Sequence, residues 1–229
     1  MSLYVVVEGR RTEPRLYRAW LPLLFPGIQE APRIEDAIGN HFFLLAGEGY
    51  PSYLDRIRNA IADMNLDGMR FTHLLVSVDA EECSHDERLA EIEDVMRDAG
   101  CSVAFTVIVA NCCIEAWLLG NRKFVRRNPE DEELRSFLEH YDVREHDPEG
   151  ILPRPTHRTR AALCLSYLKA AFRERKQSYT KHNPGPAATE PYFFALCERA
   201  RATAQTPRHL RSFARLLELP GRVTLAPLE

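Results

Sequence analysis

Residues 1–120 predict an α/β fold, a mostly parallel sheet covered by helices. Three observations carry this: short apolar runs recur, each stops at a turn, and each is followed by a segment with helical apolar spacing. The first run, Leu3-Tyr4-Val5-Val6-Val7, suits a strand buried on both faces and ends abruptly at Glu8-Gly9. Thr12 then offers a helix cap, with Glu13 and Pro14 in the first turn and Leu16, Trp20, Leu23 and Leu24 as an apolar stripe.

The unit recurs. His41 to Ala46 is a second strand, followed by a Gly47/Gly49/Pro51 turn and a helix carrying Leu54, Ile57, Ile61 and Met64. Thr72 to Val78 is a third strand, with a helix using Leu89, Ile92, Met96 and Ala99; Val103 to Val109 is a fourth, leading into a helix from about Ile114. Strands alternating with helices of this length imply parallel pairing with both faces covered.

After Gly120 the strand signal stops, which divides the chain into an α/β domain, 1–120, and a basic helical appendage, 121–229. Helices are expected over Asp131 to Tyr141, Thr159 to Lys176, and near 191–204 and 207–218, with Pro- and Gly-bearing connections at 147–155 and 183–186.

Composition narrows the function classes. At 229 residues and 45% hydrophobic content the chain is globular. Its apolar runs fall short of the roughly 20 residues that span a bilayer, and no basic-then-apolar leader opens it, so the expectation is a cytoplasmic protein without a membrane partner. Six cysteines, at 83, 101, 112, 113, 164 and 197, form no CxxC pair and no zinc-type spacing, which reads as reduced thiols. The net charge of −3 is uneven: residues 1–120 hold 10 Lys+Arg against 19 Asp+Glu, and residues 121–229 hold 20 against 14. An acidic half beside a basic one suits a polyanionic substrate, since the basic surface attracts phosphates that carboxylates alone repel.

The candidate chemistry lies at strand ends. In a parallel sheet the C-terminal ends of strands form one rim, where ligands bind. Glu8 follows the first strand, and Asp79 and Glu81 follow the third, so all three are expected on that rim. Carboxylate oxygens on neighbouring strand ends suit a hard divalent cation, Mg²⁺ or Mn²⁺. Asp79 and Glu81 stand two apart on a turn and can face the same way, with Glu82 turned outward. Glu115, in the first turn of the helix after the fourth strand, either adds a metal ligand or orients water, or simply complements the helix N-terminus; Glu13 carries the same ambiguity. Trp117, Leu118 and Leu119 read as core.

The segments Val7-Glu8-Gly9 and Val78-Asp79-Ala80-Glu81 resemble the two signatures of the TOPRIM domain, the metal-binding module of topoisomerases, primases and OLD-family nucleases. A narrower resemblance joins Glu8-Gly9-Arg10-Arg11-Thr12-Glu13-Pro14 and Tyr17 with Asn111-Cys112-Cys113-Ile114-Glu115-Ala116-Trp117-Leu118-Leu119, which is similar to the small RloB-like TOPRIM proteins of bacterial anti-phage defence. Glu81 stands where aspartate is commoner, and Cys112 where proline is usual.

The resemblance implies Mg²⁺ held by Glu8, Asp79 and Glu81, with Glu115 as a further ligand. It also implies a Mg²⁺-dependent nuclease that hydrolyses phosphodiester bonds of DNA or RNA. Tyr179-Thr180-Lys181 resembles a Y-x-K element that follows the sheet domain in such proteins, which gives Lys181 a phosphate contact and a catalytic part. Arg158, Arg160 and Arg175, with Lys181, are the candidate nucleic-acid-binding residues within a tract that also holds Arg154, Arg173 and Lys176. A different class stays open: a non-catalytic or regulatory subunit acting with a separate ATPase, since the chain has no GxxxxGK[ST] loop of its own. A homo-oligomer is compatible with either reading.

Overall fold

The computed structural model describes residues 1–66, 70–201 and 208–223. In chain order the elements are β1 (Leu3–Val7), α1 (Thr12–Leu24), β2 (Gln29–Glu30), β3 (His41–Ala46), α2 (Ser52–Leu66), β4 (His73–Asp79), α3 (His85–Asp98) and β5 (Ala104–Ala110). They continue with α4 (Ile114–Leu118), α5 (Glu132–His140), α6 (Arg160–Glu174), α7 (Glu190–Ala200) and α8 (Arg211–Leu216). The result is an α/β protein with one five-stranded parallel sheet in the order β2-β3-β1-β4-β5, covered by helices. No helix among the described residues is long and apolar enough to cross a membrane.

β1 is central because it can be. All five of its residues are buried, and it pairs in parallel with β3 on one side and β4 on the other. Val7 lies beside Ala46 of β3 and Ser77 of β4. The four expected strands are β1, β3, β4 and β5, and β4 extends one residue further than its apolar run, so that Asp79 is the last residue of the strand. β2 is a two-residue edge strand with both residues exposed, which periodicity does not reveal.

The chain divides into two compact units. The described part of the first holds residues 1–66, 70–78, 85–109 and 218–223; that of the second holds 79–84, 110–201 and 208–217. In the first, Leu16, Tyr17, Trp20, Leu21 and Leu24 form the buried face of α1, and Tyr53, Ile57, Ala60, Ile61 and Met64 that of α2. Thr12 is the first residue of α1 and not its cap; Arg11 occupies the cap position and makes no side-chain cap bond. The expected stripe is displaced, since Leu23 is only half-buried and Tyr17 and Leu21 take up the core face.

Gly47 is required by close approach. Its N–H donates to the Val7 carbonyl at 2.6 Å, and a Cβ there would sit 2.5 Å from Tyr53 Cβ and 2.9 Å from the Val7 oxygen. Any side chain would push the start of α2 off the ends of β1 and β3.

In the second unit, Asp131 caps α5 by accepting from Leu134 N–H, and Thr159 caps α6 by accepting from Ala162 N–H. Trp117, Leu118 and Leu119 are buried in its core, as expected of them. Trp117 Nε1 donates to Ser212 Oγ at 2.7 Å, and Ser212 in turn donates its hydroxyl and main-chain N–H to the buried carboxylate of Glu149. Burial pushes the Glu149 carboxyl above the ordinary range, and the Ser212 hydrogen bonds oppose that. The expected helix near 207–218 is shorter, starting at Arg211 after Leu210 in left-handed conformation; residues 202–207 lie outside the described residues.

Candidate functional site

Glu8 belongs to the first unit. Its backbone continues the sheet register, with its N–H donating to the Ser77 carbonyl at 3.0 Å and its carbonyl accepting from Gly49 N–H at 3.0 Å. The residue is buried, and its charge is one of those that raise the Tyr53 phenol, whose main cause is burial itself. Glu13, in the first turn of α1, turns its carboxylate back over Gly9, so that a Cβ on Gly9 would collide with it.

Asp79, Glu81, Glu115, the four candidate basic residues and Tyr179 belong to the second unit. Asp79 is half-buried at the end of β4 and Glu81 is exposed. Two main-chain bonds fix the turn between them: Ala80 N–H donates to the Ala110 carbonyl at 2.9 Å, and Glu81 N–H donates to the Cys112 carbonyl at 2.8 Å. Glu81 adopts φ +53, the left-handed region that a residue with a Cβ enters only when its surroundings impose it. A third contact adds to that imposition, because the Arg160 guanidinium donates to the Glu81 carbonyl at 3.1 Å. The Arg160 main-chain N–H donates to the Glu82 carboxylate at 2.9 Å, so the start of α6 is tied to the loop after β4.

Glu115 is buried in the first turn of α4 and has a specific partner. The Tyr179 hydroxyl, also buried, donates to Glu115 Oε1 at 3.1 Å. Tyr179 therefore holds, across 64 residues of sequence, a carboxylate whose reading from the sequence stood open between a metal ligand, a water-orienting group and a helix N-terminal acid. The next residues make a tight turn, with Thr180 and Asn183 exchanging main-chain bonds of 3.1 and 3.0 Å, and Lys181 and His182 exposed at its tip.

The basic residues divide by what they hold. Arg158 is exposed. Arg160 holds the Glu81 loop, and Arg175 donates to the carbonyls of Phe124 and Lys123 at 2.9 and 2.8 Å. Arg173 is paired with Asp131 and Glu133, and Arg154 donates to Ser136 Oγ while lying over the Phe137 ring. Much of the tract is thus engaged within the fold, which its composition does not disclose.

The residues present fit a hard divalent cation in the chemistry of their donors, since Glu8, Asp79, Glu81 and Glu115 offer only carboxylate oxygens. Two features went unseen in the sequence: the Tyr179–Glu115 pair, hinted at only by the Y-x-K spacing, and the approach of Cys164 to Cys112 and Cys113, for which spacing gave no signal. Comparison with protein-family models, with curated proteins and with solved structures gives no match for this chain.

Proposed function

We propose that the protein is a Mg²⁺-dependent nuclease that hydrolyses phosphodiester bonds in DNA or RNA, in the manner of TOPRIM enzymes, with a role in bacterial anti-phage defence. The observation that carries the reading is the order of acids on strand ends. Glu8 directly follows β1, Asp79 ends β4, and β1 and β4 are neighbouring parallel strands in which Val7 pairs with Ser77. Parallel neighbours end on the same rim of a sheet, where α/β proteins bind their ligands.

Bound there, Mg²⁺ would lower the pKa of water and stabilise the leaving oxygen. Glu8, Asp79 and Glu81 would be its ligands. Glu81 suits that part because its backbone is held on both sides, by Cys112 and by Arg160, so its carboxylate projects from a fixed turn. Tyr179 would orient Glu115, whose carboxylate either adds a ligand or positions water. Lys181, at its turn tip, and exposed Arg158 would contact phosphates.

The test is cleavage of single- and double-stranded DNA and RNA at fixed Mg²⁺, with chelator controls. Asp79→Ala should abolish cleavage and leave the circular dichroism spectrum unchanged, since it removes a ligand and opens no core cavity. Cleavage by the variant at the parent's rate would overturn the assignment of Asp79.

A further inference from the structure

Cys112 and Cys113 lie between β5 and α4, and Cys164 lies on α6. The Cys112 sulfur is 3.9 Å from that of Cys113 and 3.9 Å from that of Cys164, and all three sulfurs lie within 4.8 Å of one another. All three residues are buried. Among the described residues no histidine or carboxylate joins them as a fourth ligand in this group.

We propose that Cys112, Cys113 and Cys164 form a buried three-thiolate site for a soft monovalent cation, Cu(I). Its donors are thiolates, not the carboxylates that the nuclease reading assigns to Mg²⁺.

The spacing is the first argument. Three sulfurs about 2.3 Å from a central ion, in one plane, stand about 4.0 Å apart, close to the two 3.9 Å separations from Cys112, with the third pair within 4.8 Å. Donor softness is the second: thiolates select Cu(I) or zinc and not the hard cations that carboxylates hold. Coordination number decides between those two. Structural Zn²⁺ takes four ligands, whereas this group offers three, and its burial leaves little room for a water to complete a tetrahedron. Binding releases the three thiol protons to solvent, since only thiolates ligate the ion. A disulfide would require a pair to close from 3.9 Å to about 2.05 Å, a movement that ion binding does not demand.

The experiment uses the full chain, reduced and kept anaerobic, titrated into the coloured Cu(I)–bathocuproine disulfonate complex. Loss of colour should report one Cu(I) withdrawn per chain. Cys164→Ser should weaken that withdrawal at least tenfold, whereas Cys83→Ser combined with Cys101→Ser should leave it unchanged, because those two cysteines lie outside the cluster. Should Cys164→Ser fail to fold, X-ray absorption of the copper-loaded parent decides the matter, with three sulfur neighbours and no nitrogen or oxygen expected.

Four results would overturn the proposal: no copper withdrawn, equal withdrawal by folded Cys164→Ser, fewer than three sulfurs around the ion, or a parallel zinc titration showing tighter retention of Zn²⁺. Loss of two titratable thiols in air with no prior copper uptake would also overturn it, and would assign the cluster to disulfide chemistry.

Discussion

Replacing Glu149 by glutamine should change how stability depends on pH, in a direction that the surroundings of this carboxylate fix. Glu149 is only 6% exposed, and burial, reinforced by the nearby Asp147, raises its pKa above the ordinary value of 4.5 despite the bonds from Ser212. A carboxyl whose folded pKa lies above its unfolded one favours the folded state fully when both are protonated. That contribution is lost as pH rises from the unfolded value through the folded one. The stability of the parent minus that of Glu149→Gln should therefore fall with rising pH at up to about 1.4 kcal/mol per pH unit within that window, and be flat on either side.

Urea unfolding of both proteins at intervals from pH 4 to pH 8, followed by circular dichroism, gives the difference directly. Shared acids such as Asp131 and Asp36, which Arg173 and Arg33 hold below the usual carboxylate range, contribute equally to both proteins and cancel. A difference that does not vary with pH, or that moves in the parent's favour as pH rises, would refute the reasoning.

Tyr179→Phe removes the hydroxyl that donates to buried Glu115, and a hydrogen bond to a carboxylate is worth about 1.5–3 kcal/mol, so Tm should fall by roughly 3–12 °C in a calorimetric scan. An unchanged Tm would mean that the pair is not formed in solution. Replacing Arg158 and Lys181 together by alanine should flatten the salt dependence of nucleic-acid binding by up to about two units of log–log slope, measured by fluorescence anisotropy, without loss of fold. The same slope in both proteins would remove these residues from the backbone contact. Arg160 and Arg175 make a poorer test, because their guanidinium groups hold main-chain carbonyls and their removal also loosens the second unit.

What could be read from the sequence is what short-range pattern encodes. β1 begins and ends where its apolar run does, because residues buried on both faces leave no room for a polar one, and β3 keeps the bounds of its run although only Phe42 of it is buried. The helices expected from Asp131 and Thr159 begin within one residue of those positions, where both side chains turn out to cap, whereas Thr12, the cap read from residue type, lies inside α1. β2 was illegible for the opposite reason: two exposed residues at a sheet edge carry no alternation, and their pairing with β3 is a tertiary fact.

The site divides in the same way. Glu8, Asp79 and Glu81 stand out because they interrupt or end apolar strands. Their surroundings were not visible, since the bonds that hold Glu81 come from Cys112 and Arg160, 31 and 79 residues away in sequence. The left-handed backbone of Glu81 has no sequence signature either, as glutamate is not a residue that announces positive φ. The basic tract misleads for an energetic reason: composition counts charges, whereas Arg154, Arg160, Arg173 and Arg175 already direct their donors to acceptors within the protein.

Whether Glu8, Asp79 and Glu81 hold a divalent cation is tested most directly, and without reliance on any substrate, by Mn²⁺ titration followed by electron paramagnetic resonance. The free-ion signal should be lost on binding to the parent chain. Both Asp79→Asn and Glu8→Gln, folded by circular dichroism, should reduce that loss at least tenfold at equal concentrations, and Mg²⁺ should restore the free signal in the parent. A parent that leaves the Mn²⁺ signal untouched, or variants that bind as well as the parent, would contradict the account.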